Sequence, residues 1–306
     1  MQSNNFAPIV LFVYNRPWHT QKVIEALQKN ELASESELFI YADGAKNEKL
    51  NNQVSQVRSY IQEVGGFKKV TIIERDKNFG LANSIIDGVT EIVNKYGYVI
   101  VLEDDLVTTP FFLRYMNDAL ELYKGNNEVI SIHGFQYPLK DSQNLPDTFL
   151  IKGADCWGWA TWARGWSLFE PDGKKLLDEL TSKNMQKESD FNNSFGYTKM
   201  LKNQIKGKND SWAIRWYMSA FLKNKLTLYP RKSLVQNIGN DGSGTHSGLT
   251  EQFFIENLSE ALPLFDKSSQ IAENFKAKSL MEKYFNSVKR NFLGKVFSKI
   301  KEIITR

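Results

Sequence analysis

The chain of 306 residues contains a single cysteine, Cys156, so an intrachain disulfide is excluded and a reducing compartment fits. It also lacks a long apolar run. Ile9 to Tyr14 is too short for a membrane span or a signal h-region, and Met1-Gln-Ser-Asn-Asn has no basic residue. On these readings a cytoplasmic protein is expected. Regular repeats are absent, and no nucleic-acid motif accompanies the basic residues, so nucleic acid is not an expected partner. Apolar residues are not in short supply: at 42% they suffice for a full α/β core with additional elements, in one large domain or two small ones.

Charge is unevenly spread. Residues 276–306 carry nine lysines and arginines against Glu282 and Glu302, which leaves the rest of a chain of net charge +4 acidic. In that tail Met281, Tyr284, Phe285, Val288, Phe292, Val296, Ile300, Ile303 and Ile304 recur at helical spacing. Two readings of this basic amphipathic helix stand side by side. It lies on an anionic membrane surface, peripheral on the inner face, or its apolar side docks on the rest of the chain.

The most informative segment is Tyr98-Val-Ile-Val-Leu-Glu103-Asp104-Asp105, an apolar run ending in three carboxylates. It reads as a buried strand that delivers its charges at the C-terminal end, where open α/β sheets bind ligands. Adjacent carboxylates repel, so the pattern calls for a compensating cation, Mg²⁺ or Mn²⁺, holding a phosphorylated substrate. A strand-like continuation would send Glu103 and Asp105 to one side and Asp104 to the other. The competing reading is a solvated acidic turn.

Around it, apolar runs alternate with helical patterns. Strands are expected at Pro8 to Tyr14, Leu38 to Ala42, Val70 to Glu74, Tyr98 to Leu102 and Val129 to His133. Helices are expected from Pro17, along Leu50 to Val64, from Gly80 to Tyr96 and from Pro110 to Tyr123. After about Pro138 the pattern changes to a tryptophan-rich segment with Trp157, Trp159, Trp162 and Trp166. A polar helical stretch follows from Asp172 to Lys208, then a helix from Trp212 to Leu222, and short strands near Leu226 to Tyr229 and Ser233 to Gln236. The resulting division is 1–137 as a nucleotide-binding half, 138–265 as an acceptor-binding and catalytic half of the same domain, and 266–306 as the tail. If the first strands are parallel, Asn15 and Arg16, Asp43 and Gly44, and Arg75 with Asn78 and Gly80 all face one crevice. There Gly80 would open a helix near phosphate or base, and Arg16 or Arg75 would offset negative charge.

Six segments in order resemble A-type-fold glycosyltransferases, notably bacterial family-2-like polysaccharide enzymes and the eukaryotic N-acetylglucosaminyltransferase I type. They are Ile9-Val-Leu-Phe-Val-Tyr-Asn-Arg-Pro, Tyr41-Ala-Asp-Gly, Asn78-Phe-Gly-Leu-Ala-Asn-Ser, Val101-Leu-Glu-Asp-Asp-Leu, Cys156-Trp-Gly-Trp-Ala-Thr-Trp, and Leu234-Val-Gln-Asn-Ile-Gly with Thr245-His246. The resemblance implies a Rossmann-like mixed α/β sheet flanked by helices with a C-terminal helical extension. It also implies a nucleotide-diphosphate sugar donor, most often a UDP-sugar, bound with Mn²⁺ or Mg²⁺, and a glycan or lipid-linked saccharide acceptor in polysaccharide synthesis. Carried over, Asp105 is the metal ligand and His246 approaches the metal or diphosphate. Asp104 contacts the ribose or a metal-bound water, with Glu103 beside it. Asp43 contacts the base, and Val13, Tyr14, Asn15 and Arg16 line the nucleotide pocket.

An inverting displacement needs a base for the acceptor hydroxyl. Similar enzymes place an aspartate directly beside a tryptophan, whereas this chain reads Asn209-Asp210-Ser211-Trp212. Asp210 is the candidate and Asp155 the other option, with a helix cap as the competing reading for either. Trp157, Trp159 and Trp162 suit a sugar-stacking wall, or else the core. A noncatalytic carbohydrate-binding scaffold and a sugar-nucleotide pyrophosphorylase are the rival functions. The latter's glycine-rich loop is replaced here by Val13-Tyr-Asn-Arg-Pro.

Overall fold

The computed structural model describes residues 6–242, 252–265 and 270–304, with side chains through residue 289. Five buried apolar residues form β1 (Ile9–Val13), and α1 (Pro17–Gln28) follows, with proline at a first-turn position where a backbone N–H would go unused. Next come β2 (Glu37–Ala42), α2 (Asn51–Ile61), β3 (Lys69–Glu74), α3 (Leu81–Tyr96) and β4 (Tyr98–Glu103). These strands are parallel in the order β3-β2-β1-β4, so their C-terminal ends share one edge and the order reverses between β1 and β4. A crevice opens at such a point.

After β4 the chain turns at Asp104 and Asp105 and leaves the main sheet as β5 (Leu106–Thr108). It is followed by α4 (Phe112–Leu122), β6 (Val129–His133), β7 (Thr148–Lys152), β8 (Trp159–Trp162) and the short α5 (Ala163–Trp166). Then come α6 (Gly173–Ser182), α7 (Gln186–Ser189), α8 (Tyr197–Ile205), α9 (Trp212–Leu222), β9 (Leu226–Pro230), β10 (Val235–Asn237) and α10 (Phe275–Ile304). The full sheet is mixed, in the order β3-β2-β1-β4-β8-β6-β9-β7, with β8 antiparallel to both neighbours. Strands from either side of residue 137 interleave in it.

Period-two alternation in β1 splits the core between the two faces of the sheet. Ile9, Leu11 and Val13 meet Val23 and Ile24 of α1, Val57 of α2, and Leu113 and Met116 of α4. Val10 and Phe12 meet Ile85 and Val89 of α3, in a cluster that also holds Trp159, Trp166, Trp212 and Trp216. The tryptophan-rich segment is thus largely a strand, and two expected sugar-stacking rings are corrected: Trp159 is fully buried and Trp162 is 5% exposed. An antiparallel strand sealed under helices takes bulky rings inward on both faces, and a sugar reaches neither ring. Trp157, half-buried against Phe135 and Phe253, lies outside that strand.

The stretch from Asp172 to Lys208 is three helices. Asn184 and the run Phe191, Asn192 and Asn193 take positive φ and interrupt it. In the tail, Ala277, Met281 and Phe285, spaced four apart on the first turns of α10, are buried, and Asn274 donates to the Leu150 carbonyl at 2.8 Å. That part of the amphipathic stripe docks on the sheet edge at β7. No described helix is long and apolar enough to cross a membrane.

Candidate active site

The candidate site is centred on the turn that ends β4. Because Asp104 and Asp105 form a turn and not a continued strand, both carboxylates reach the same guanidinium, which corrects the expectation that they point to opposite sides. Arg16, just before α1, donates to Asp104 through Nε at 3.3 Å and through Nη2 in a shorter bond, and to Asp105 through Nη2 at 2.9 Å. Burial opposes the charge on Arg16, but the two aspartates outweigh it and raise the guanidinium above its usual range. One cation does not serve three carboxylates. Burial, with Asp105 and Asp104 adding to it, pushes Glu103 up to about 8, and burial raises Asp104 against the pull of Arg16.

The β5–β10 ribbon, antiparallel with Asn237 opposite Leu106, brings residues 237–242 over the turn. Ile238 N–H donates to the Asp105 carbonyl at 2.9 Å, and Gly239 N–H to Asn237 Oδ1 at 2.8 Å. A Cβ on Gly239 would overlap Asp105 Oδ2 and stand 3.0 Å from Arg16 Nη1, so any other residue here would push the Asp105 carboxylate out of its present place. Beyond it, Asp241 Oδ2 lies 3.1 Å from His19 Nε2 on α1.

At the end of β2, Asp43 is 7% exposed and its carboxylate accepts four donors. Oδ1 takes Gly44 N–H at 2.9 Å and Phe79 N–H at 2.8 Å, while Oδ2 takes Asn78 Nδ2 and Gly80 N–H, both at 2.9 Å. These fill the acceptor capacity of a carboxylate. Asp43 and Asn78 thereby shape the loop before α3, and contact of the Asp43 side chain with a base would displace a donor already in place. Gly80 there has φ +75° with ψ 154°, a conformation glycine adopts and other residues avoid.

Arg75 is drawn away from the crevice centre. Its guanidinium sits 4.5 Å from the Phe79 ring centroid and 5.2 Å from that of Tyr41 and pairs with Asp87 of α3. On the opposite wall Val13 is buried, with its carbonyl accepting Asp43 N–H at 3.1 Å. Tyr14 accepts Lys46 N–H at 3.0 Å, and Asn15 is half-buried beside Arg16.

The two candidate bases occupy different settings. Asp155 accepts the Tyr137 hydroxyl at 3.0 Å, the Tyr229 hydroxyl at 3.3 Å and Cys156 N–H at 2.8 Å, with 16% of its side chain exposed. Cys156 ties it to the acidic turn: burial first, then Asp155, Glu103 and Asp105, raise that thiol well above its usual range. Fully buried His133 accepts Trp157 N–H through Nε2 at 3.1 Å, and burial lowers its pKa against the opposing pull of Asp155. Asp210 precedes the Ser211 cap of α9, is 65% exposed, and faces Arg215 at 3.5 Å. His246 lies outside the described residues.

The donor set fits a hard divalent ion. Asp104 and Asp105 offer oxygen ligands, with the guanidinium of Arg16 between them. Among the described residues no group of three or more His, Cys, Asp or Glu could hold a metal. An ion here would draw further ligands from phosphate and water, as Mg²⁺ usually does.

Sequence reasoning missed Gly239, His19 and Asp241. Gly239 stands inside a segment already singled out; His19 follows Arg16 and Pro17, but only the fold shows what it faces.

A parallel sheet reversing between β1 and β4, one antiparallel strand beside β4, and an acidic turn at the end of β4 make up the A-type glycosyltransferase fold. A family model described as "Glycosyl transferase family 2" matches residues 9–169, more than half of the chain, and the protein belongs to that family. Among solved structures it is similar to the mannosyltransferase PcManGT from Pyrobaculum calidifontis in complex with GDP-Man and Mn²⁺, at 12% identity and TM-score 0.38, covering 58% of this chain and 48% of that one. It is also similar to S. aureus TarS 1-349, at 9% identity and TM-score 0.41, covering 75% and 59%. For S. aureus TarS 1-349 in complex with UDP-GlcNAc the values are 12%, 0.31, 46% and 37%. The chain thus spans less than two thirds of each, and these likenesses add nothing to the assignment. No curated protein matches the chain.

Proposed function

We propose that the protein is a metal-dependent glycosyltransferase that moves a sugar from a nucleotide-diphosphate sugar, expected to be a UDP-sugar, to a hydroxyl of a glycan or lipid-linked saccharide in cell-surface polysaccharide synthesis. The observation that carries this reading is the convergence of the parallel strand ends of β1 and β4 and the segment after β10 around Arg16, Asp104 and Asp105, with the end of β2 beside them. Val13, Tyr14 and Asn15 form one wall for the nucleotide, and the loop tied by Asp43 forms the other.

Asp105 would hold Mn²⁺ or Mg²⁺, with Asp104 beside it. When bound, the ion supplies positive charge to the departing diphosphate. Arg16 is placed to add a second positive charge there. Asp210 takes the proton from the acceptor hydroxyl, whose oxygen attacks the anomeric carbon from the face opposite the diphosphate. The bond to the diphosphate oxygen breaks and the configuration inverts. Asp210 is preferred to Asp155 because a base needs an open lone pair: Asp155 already accepts three hydrogen bonds in a mostly buried position, whereas Asp210 is exposed. Trp157 borders the acceptor side. The basic end of α10, beyond its docked turns, holds the enzyme against an anionic membrane surface where a lipid-linked acceptor resides.

Isothermal titration of UDP-, GDP- and dTDP-sugars with and without Mn²⁺, on the native protein and Asp105→Ala, tests the donor site. Metal-dependent binding of one donor, lost in the variant, is the expected result; a folded protein that binds none overturns it. NMR of the product's anomeric proton then reads inversion.

A further inference from the structure

The pair formed by His19 and Asp241 belongs to no step above, yet it joins the first turn of α1 to the segment that crosses the acidic turn. The His19 side chain is 8% exposed and screened by the exposed Trp18, whose ring meets it edge-on with centroids 5.0 Å apart. Its Nε2 makes no hydrogen bond of good geometry, and what stands before it is the Asp241 carboxylate at 3.1 Å. At that separation the imidazole nitrogen and the carboxylate are within hydrogen-bond distance, so a small rotation of either side chain completes the bond. Two residues before Asp241 is Gly239, the position where backbone closes on Asp105 and Arg16; one residue earlier, Ile238 N–H bonds the Asp105 carbonyl. Asp241 itself is 45% exposed, so apolar packing of its side chain does not explain where the segment lies.

We propose that His19 is a positioning residue for the donor site. Through Asp241 it fixes residues 237–242 across the Asp104–Asp105 turn and thereby sets the depth of the pocket that receives the diphosphate. This rests on the proposed donor site for its kinetic consequence, but not for its structural one. His19 touches no reacting atom in this scheme.

Hydrogen exchange followed by mass spectrometry on the full chain reads the structural part with no donor present. Amides of the peptide covering residues 235–242 exchange faster in His19→Ala and in Asp241→Asn, while peptides from β1 and β4 do not change. Unchanged exchange at 235–242 in Asp241→Asn, a substitution at an exposed side chain that leaves the core intact, overturns the proposal. In transfer assays each single variant raises the donor KM about tenfold, the scale typical of lost outer-shell support, with kcat nearly kept. The double variant is no worse than either alone, and His19→Gln, which keeps a donor nitrogen, recovers part of the loss. Additive losses, or a fall in kcat with KM unchanged, also overturn it. A native protein that binds no nucleotide sugar defeats the transferase reading and leaves the exchange result to decide this one.

Discussion

Asp43 shows how far a residue's work can differ from the group its position suggests. Its sequence context, a strand end before glycine, marks a pocket residue, but the four donors it accepts come from as far as Gly80 and are not written locally. Asp43→Ala strips partners from the part-buried N–H groups of Phe79 and Gly80 and costs about 2 kcal/mol in chemical unfolding. Asp105→Ala should leave the unfolding midpoint nearly unchanged and abolish metal-dependent donor binding. His133 gives a pH signature. Burial depresses its folded pKa below the ordinary 6.5, so the unfolded chain takes up the proton more readily. Its contribution is intact above pH 6.5 and lost as pH falls below that value toward the folded pKa, with a slope of at most about 1.4 kcal/mol per pH unit. Urea denaturation at stepped pH should show a shallower acid-side decline for His133→Gln. The charged neighbour facing His133 is Asp155, which opposes the shift without cancelling it.

Among the elements, long periodic segments were legible and short or aromatic ones were not. β1, β2, β3, β4, β6 and β9, and helices α1, α3, α4 and α9, fall where apolar runs and helical spacing put them. β5, at three residues, is too short for a period and exists because it pairs with β10, which overlaps the short strand expected near Ser233 to Gln236. β7 follows a polar stretch, and β8 is hidden because its tryptophans look like a binding surface when they are counted without their neighbours. For α10 the periodicity predicts the helix but not which turns it spends on the sheet. Phe285→Ala, in the docked part, should destabilise by about 3 kcal/mol. Removal of residues 290–306 should leave the melting temperature unchanged and, on the membrane reading, abolish sedimentation with phosphatidylserine vesicles but not change donor affinity.

At the scale of the whole molecule the sheet joins what the sequence divides. β6, from the first half, lies between β8 and β9 of the second, and the cluster of Trp159, Trp166, Trp212 and Trp216 packs on the same face as α3. The boundary near residue 137 therefore does not separate units that fold alone. Tryptophan fluorescence and far-ultraviolet circular dichroism should report one coincident melting transition. The meeting of Arg16 with the acidic turn was legible at this scale because the strand ends of a parallel sheet meet in one place. Its fine structure was not, since residues 237–242 arrive by a pairing more than a hundred residues away in sequence.

Arg16, bridging Asp104 and Asp105, is in effect a tethered rival for any ion that comes to the turn. A tethered group acts at a local concentration on the order of millimolar or more, so a cation arriving alone must evict a competitor that never diffuses away. A cation arriving with a diphosphate brings the displaced guanidinium a new anionic partner. Calorimetry with Mn²⁺ alone should accordingly give weak heats that sharpen only when the nucleotide is present. On the proposed donor site, the ion and the nucleotide would therefore enter as a single package.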